Sequence, residues 1–291
     1  MKISDTCISV MGPTGTGKSS FINMAAGDVP GLKSRVDTAD LIKFQCICQS
    51  SQDIIFVDIP GFDDTRKSEV EILEMIAVWV KQMHEQNVKL AGILYFHRIT
   101  DGKKAGVMKN LHIFQKLCGS EALRNTILTT TMWDGADRTF GEMEEMNLVQ
   151  GCWKSMMIQG AKTMRYWNTK ESAWDIIDNV LCRRRGQFTL DLQKELVAEG
   201  KGLLKTGAGE HVFGELQALV KWQQDTLHQL QASMKRHDDE IILNALREEY
   251  EGLRSQMEAA VEDIEALKLH RGKRLRHFFS SSRLGLSFAG V

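Results

Sequence analysis

The stretch Cys7-Ile-Ser-Val-Met11-Gly12-Pro-Thr-Gly-Thr-Gly17-Lys18-Ser19-Ser20-Phe-Ile-Asn-Met24 decides the fold of this chain. Gly12 to Ser19 matches G-x-x-x-x-G-K-[ST], with an apolar, strand-like run before it and a helix-compatible run after it, which is the context the motif requires. The glycines let the backbone wrap a phosphate chain, and amide N–H groups at a helix N-terminus bind its oxygens. Lys18 adds a point charge between β and γ phosphates, and the Ser19 hydroxyl suits Mg²⁺. Gly12, Pro13, Thr14, Gly15, Thr16, Gly17, Lys18, Ser19 and Ser20 are the candidate nucleotide-binding residues of this loop.

Forty residues after Lys18, the apolar run Ile54-Ile-Phe-Val-Asp58 ends in an aspartate, and Gly61 follows three positions later. Asp58 is placed to hold the metal with Ser19, and the Gly61 amide to meet a γ phosphate. By itself D-x-x-G is also ordinary turn chemistry. Its position at the end of an apolar strand after the phosphate loop makes it specific.

Around these motifs, residues 1–185 alternate short apolar runs with helical patterns, the signature of an α/β domain on a mostly parallel sheet with one antiparallel strand. Strands are expected at Cys7–Met11, Leu41–Cys48, Ile54–Asp58, Gly92–Phe96, Ile127–Thr131 and Thr163–Tyr166. Helices are expected at Ser19–Ala26, Ser68–Glu85, Gly106–Cys118, Thr139–Leu148, Trp153–Gln159 and Glu171–Arg184.

Past residue 186 the strand signals stop. Residues 186–267 read as a helical, partly coiled-coil-like region, with one amphipathic helix over Phe188–Lys205 interrupted at Thr206-Gly-Ala-Gly209, since glycine costs about 1 kcal/mol in a helix interior. One 4-3 register then runs from Leu216 through Leu227 and Leu230 to Ile241, and a second, out of phase, runs from Leu246 through Tyr250, Ala260 and Ile264 to Leu267. The slip implies a stutter, a bend or a reversal into a hairpin. Helices folding back on the first domain and an intermolecular coiled coil are both open.

The 291 residues balance 37 Lys plus Arg against 38 Asp plus Glu, which excludes a general polyanion binder. Charge is nonetheless uneven: residues 186–267 carry eight basic and 16 acidic side chains, whereas 268–291 carry six basic and no acidic ones. That basic tail, with Phe278 and Phe279, suits an anionic membrane surface or a protein partner, and equally a solvated end. No base-reading motif points to nucleic acid. No apolar run is long enough for a membrane span or signal peptide, so a cytoplasmic chain, possible periphery to a membrane included, is the expectation. The six cysteines contain no C-x-x-C pair and read as reduced and structural.

Over roughly residues 5–185 the sequence resembles the P-loop GTPases of the translation-factor-like class. Asp58-Ile-Pro-Gly61-Phe-Asp-Asp-Thr65 is most similar to the septin and immunity-associated (GIMAP, Toc-like) branch, and Gly92-Ile-Leu-Tyr-Phe-His97-Arg98-Ile with Thr129-Thr-Thr-Met-Trp-Asp134 resembles the fungal G-domain-containing proteins of that branch. The resemblance implies a G domain that binds GTP or GDP with Mg²⁺, hydrolyses GTP, and pairs with a second copy across the nucleotide face. It makes Thr38 the switch threonine for Mg²⁺ and the γ phosphate, with Ser34 competing.

Where the family has N-K-x-D for guanine, this chain has Thr131-Met132-Trp133-Asp134. Asp134 keeps the carboxylate that accepts two hydrogen bonds from guanine N1–H and the N2 amine, which adenine cannot supply; as an alternative it is a helix N-cap or a turn residue. Met132 replaces the lysine stem with a thioether. Ser172 falls at the weak Ser-Ala motif near the base, or caps a helix.

Phe62 occupies the place of the glutamine that orients the attacking water in Ras-like proteins, so intrinsic hydrolysis is expected to be slow. Thr38, Gly61 and His97 are the catalytic candidates, with Arg98 beside His97 as another source of transition-state charge; a loop histidine without catalytic role is the competing reading of His97. Two functions fit these residues: a guanine-nucleotide switch with slow, dimer- or partner-assisted hydrolysis, or a nucleotide-bound scaffolding protein with little turnover.

Overall fold

The computed structural model describes residues 6–27, 35–36, 42–47, 53–64, 66–102, 104–182, 188–236 and 239–269. β1 (Thr6–Met11) is buried along its whole length, as a strand with parallel neighbours on both sides must be. Those neighbours are β4 (Asp53–Asp58) and β5 (Leu90–Arg98), paired through Ser9 with Val57 and with Ile93. β6 (Thr126–Thr131) and β7 (Lys162–Arg165) extend the parallel array beyond β5. On the other side β3 (Ile42–Ile47) runs antiparallel to β4, and β2 (Arg35–Val36) pairs antiparallel with β3. The sheet order is β2-β3-β4-β1-β5-β6-β7. Among the described strands β3 is thus the one of opposite direction, in line with the one antiparallel strand expected; the two-residue β2 is too short to leave a periodic signal.

Alternation along the strands splits the core in two. One face sends Ile8, Val10, Phe56 and Phe96 against α1 (Lys18–Ala26) and α6 (Lys170–Cys182). Phe21 of α1 meets Phe56, Phe96 and Tyr166 edge to face, at ring centroids of 6.3, 5.1 and 5.1 Å, the preferred geometry of aromatic quadrupoles. This aromatic contact fixes the helix that follows the phosphate loop. The other face carries α2 (Glu69–Glu85), α3 (Ala105–Leu123), α4 (Arg138–Gln150) and α5 (Lys154–Ile158). α3 breaks at Gly119, whose φ of 71° leaves the helix where the sequence pattern ended it.

The helical region joins this second core instead of standing apart. Leu192, Leu203, Val212, Leu216, Ile264 and Leu267 are buried with side chains of α2 and α3 in one cluster. The single helix expected over Phe188–Lys205 is not formed. Phe188 bridges to Leu90 at the start of β5, α7 (Asp191–Gln193) runs into a π-type turn over Lys194–Ala198, and Gly200 at φ 63° turns the chain. A short 3₁₀ turn, Leu203–Lys205, follows. Thr206-Gly-Ala-Gly209 starts a helix and does not interrupt one: Thr206 Oγ1 accepts from the Gly209 amide at 3.0 Å as the N-cap of α8 (Gly207–Met234). A Cβ at Gly209 would strike the Leu203 carbonyl, which requires glycine there.

α9 (Glu240–Leu269) reverses along α8. Gln231 Nε2 donates to the Tyr250 hydroxyl at 2.8 Å near one end, and Lys268 lies 5.8 Å from the Phe213 ring centroid near the other. The two heptad registers fall on the two arms of an antiparallel hairpin, except that Ile241, where the first register is expected to end, lies in α9 and is exposed. The basic tail beyond 269 lies outside the described residues, as do Ser34, Thr38 and Thr65.

Candidate functional site

β1 delivers the chain to Gly12 at φ 131°, with Gly15 at 77° and Gly17 at 90°, conformations open to glycine. Gly12 also passes so close to β5 that a Cβ would collide with the Phe96 carbonyl. Thr16 Oγ1 donates to the Pro13 carbonyl at 2.8 Å, and Thr131 Oγ1 of β6 donates to the Thr16 carbonyl at 2.8 Å. Thr131 therefore anchors the loop; its contact is with the backbone of the phosphate cradle.

Lys18 lies within the loop, its Nζ donating to the Gly12 and Pro13 carbonyls at 2.8 and 2.9 Å. Burial lowers its pKa, opposed by the Asp58 carboxylate and then by Asp63 and Asp64. Ser19 Oγ donates to Asp58 Oδ2 at 2.8 Å. The other oxygen, Asp58 Oδ1, is buried with no hydrogen-bond partner among the described residues, and burial raises the Asp58 pKa against the pull of Lys18. An orphaned carboxylate oxygen beside a hydroxyl at a strand end is a donor set that fits Mg²⁺, with phosphate oxygens completing its shell. Ser19 and Asp58 would hold the ion, which supplies charge neutralisation for phosphate oxygens.

Gly61 follows Asp58 against the phosphate loop: a Cβ there would lie 2.7 Å from the Thr14 amide and 3.0 Å from the Gly12 carbonyl. Phe62 turns away from this opening. It is 7% exposed within the core, and its amide donates to Asn110 Oδ1 of α3 at 2.8 Å. The next residue, Asp63, returns to the loop and accepts the Thr14 amide at 2.8 Å.

The base side is built by the turn after β6. Met132, at φ 60°, is 39% exposed and its Cε lies 3.7 Å from a Cβ built on Gly17. Trp133 points the other way, buried under Arg165 at 4.4 Å and donating Nε1–H to Thr130 Oγ1 at 3.1 Å. Asp134 is exposed on the same turn as Met132. Asp137 instead caps α4, accepting from the Thr139 and Phe140 amides, so the N-cap alternative for Asp134 falls to its neighbour. Ser172 is buried and ties the β7–α6 loop together: its Oγ accepts from the Trp167 amide at 3.2 Å and donates to the Thr169 carbonyl at 3.0 Å. It positions the loop that holds Asn168, which accepts from Ser20 Oγ at 3.4 Å.

His97 turns into the core beside Trp153. It is 2% exposed, its ring 5.5 Å from Trp153 in an edge-on contact, and burial lowers its pKa to about 4. Arg98, one residue on, does reach the loop: Nη2 donates to the Gly15 carbonyl at 3.2 Å and Nε lies 3.5 Å from Asp101. The alternation of β5 sends consecutive side chains to opposite faces. Sequence reading did not single out Asn110 or Asp63. Asn110 has no motif around it, whereas Asp63 stands inside Asp58–Thr65 and could have been found by asking which carboxylate reaches the loop.

Residues 7–127 match the family model described as 50S ribosome-binding GTPase. Over 68 residues the chain is 32% identical to GTPase Era of Mycoplasma genitalium, an alignment that covers 23% of each protein. Among solved structures, a dimerization-deficient mutant of Toc33 from Arabidopsis thaliana aligns at 15% identity and TM-score 0.49, over 65% of this chain and 87% of that one. Era of Aquifex aeolicus bound to GDP and AlF4⁻ aligns at 15% identity and TM-score 0.42, over 74% and 68%. The family match takes in the phosphate loop and Asp58 to Gly61, and the sheet order around them is the fold of a P-loop GTPase G domain.

Proposed function

We propose that the protein is a guanine-nucleotide switch of the septin and immunity-associated branch, with slow GTP hydrolysis, whose α8–α9 hairpin reports the nucleotide state. The observation that carries this reading is the Lys18, Ser19 and Asp58 constellation, a buried cation and an orphaned carboxylate oxygen at the mouth of a glycine loop. The loop amides and Lys18 bind the phosphates, Ser19 and Asp58 hold Mg²⁺, and Gly61 meets the γ phosphate. Asp134 accepts from the guanine edge while Met132 packs on the base. Thr38 completes the metal shell.

Slow turnover follows from Phe62. Its side chain is sealed in the core, so water positioning falls to another group, supplied by a second copy or a partner. Arg98, already at the loop, adds positive charge at the phosphates. The apolar seams of α8 and α9 close on one another and on α2 and α3, which favours the switch over filament assembly through those helices. Among the described residues no helix is long and apolar enough to cross a membrane; a membrane or protein contact through the basic tail belongs to the same proposal.

Asp134→Asn tests the base assignment. The amide donates where the carboxylate accepted, so preference should move from GTP toward XTP, whose C2 carbonyl replaces the amine. Unchanged preference for GTP would remove Asp134 from the site.

A further inference from the structure

The side chain of Asp63 occupies a place that the G-domain reading leaves unexplained. Its Oδ1 accepts the Thr14 amide at 2.8 Å, and the same oxygen stands where a Cβ on Gly61 would strike it. Lys18 feels the Asp63 charge next after that of Asp58. A phosphate-loop amide, the Gly61 backbone and the Lys18 ammonium are the groups that a terminal phosphate recruits, and one carboxylate already faces all three.

A carboxylate oxygen and a phosphate oxygen are the same kind of acceptor, so one N–H aimed at Asp63 is withdrawn from a phosphate. Two anions held by the same donors also repel each other. Asp63 is exposed, so its outward swing is resisted chiefly by the bond to Thr14.

We propose that Asp63 is a specificity-determining residue that sets the balance between nucleoside triphosphate and diphosphate by competing with the γ phosphate for the Thr14 amide. The proposal rests on the guanine-nucleotide reading above and goes beyond it. Binding of the triphosphate displaces Asp63 from the Thr14 amide. Binding of the diphosphate leaves Asp63 latched. The chain thereby carries its own preference for the diphosphate form, set by one side chain.

The test is competition of GTP and of GDP against a fluorescent GDP analogue, with Mg²⁺, on the full chain and on Asp63→Ala, Asp63→Asn and Asp64→Asn. In Asp63→Ala the affinity for GTP relative to GDP rises about tenfold. Asp63→Asn, which keeps an acceptor and loses the charge, rises less and in the same direction. Asp64→Asn, whose carboxylate bonds Arg66 at 2.8 Å and not the loop, leaves the ratio unchanged. Asp63→Asn is isosteric and decides the matter if Asp63→Ala melts early. An unchanged ratio in both Asp63 variants, or an equal rise in Asp64→Asn, overturns the proposal. Failure of both guanine nucleotides to compete on the wild-type chain overturns the reading beneath it, and the proposal with it.

Discussion

Ser68, the N-cap of α2, donates its hydroxyl to Asp263 Oδ1 of α9 at 2.8 Å. The same residue closes a capping box with Glu71, accepting its amide at 3.2 Å and donating its own to Glu71 Oε2 at 2.8 Å. Ser68 stands four residues after Asp64, so in the proposed switch the segment after Gly61 and the α8–α9 hairpin meet at one hydroxyl. Asp263→Ala removes the contact and leaves the capping box intact. Hydrogen exchange of α9 should differ between GTP- and GDP-loaded wild type, and this difference should vanish in the variant. Equal nucleotide dependence in both would show that the signal takes another route.

A second tie lies close by. Lys109 of α3 bridges Glu69 at 2.5 Å and Glu215 of α8 at 3.1 Å. Lys109→Met leaves the two carboxylates facing each other without the cation, half-buried. A cost of about 1–2 kcal/mol is expected, below that of a fully buried pair because solvent screens the site. Denaturant unfolding measures it, and Glu215→Gln in the same background should return part of the loss.

Phe62→Gln replaces the aromatic ring with the side chain that orients water in Ras-like proteins. The backbone here, held by Asn110, directs that side chain into the core, so no gain in GTP turnover is expected. Stability should fall by about 3 kcal/mol, from lost packing and a buried amide. Faster hydrolysis in a stable variant would place residue 62 at the phosphates after all.

His97 provides a prediction for acid. Its pKa falls from 6.5 in the unfolded chain to about 4 in the folded one because the ring is buried. The folded state therefore excludes a proton that the unfolded state accepts. Its stability is complete above pH 6.5 and drains away as pH drops toward 4, by roughly 3 kcal/mol at most. His97→Leu should flatten this part of the stability profile, and a slope equal to wild type would show the ring to be solvated.

Much of the parallel sheet is legible in the sequence because buried strands are continuous apolar runs and the glycine loop dictates a helix after β1. The hairpin registers are equally legible: Leu227, Leu230, Ala260 and Ile264 are buried where 4-3 spacing puts them. The segment 188–205 is not, since its periodicity is that of a helix while Gly200 and the pairing of Phe188 with Leu90 impose turns that tertiary contacts decide. In the site, Lys18, Ser19 and Asp58 are legible because their chemistry dictates their spacing. His97 carries two readings in the sequence, a catalytic candidate and a histidine without catalytic role, and it is found in the core; the strand end alone does not say which face a side chain takes. Asn110 and the Ser68–Asp263 bond lie far apart in sequence from what they touch, and only the fold brings them together.

In the proposed function, guanine is recognised through Asp134 despite Met132. Competition of GTP, GDP and ATP for a fluorescent GDP analogue, with Mg²⁺ and with Lys18→Ala as the control for the phosphate loop, tests it most directly. GTP and GDP should outcompete ATP by at least about tenfold, near 1.4 kcal/mol, and Lys18→Ala should abolish binding of all three. Equal competition by ATP, or binding that survives Lys18→Ala, would contradict it.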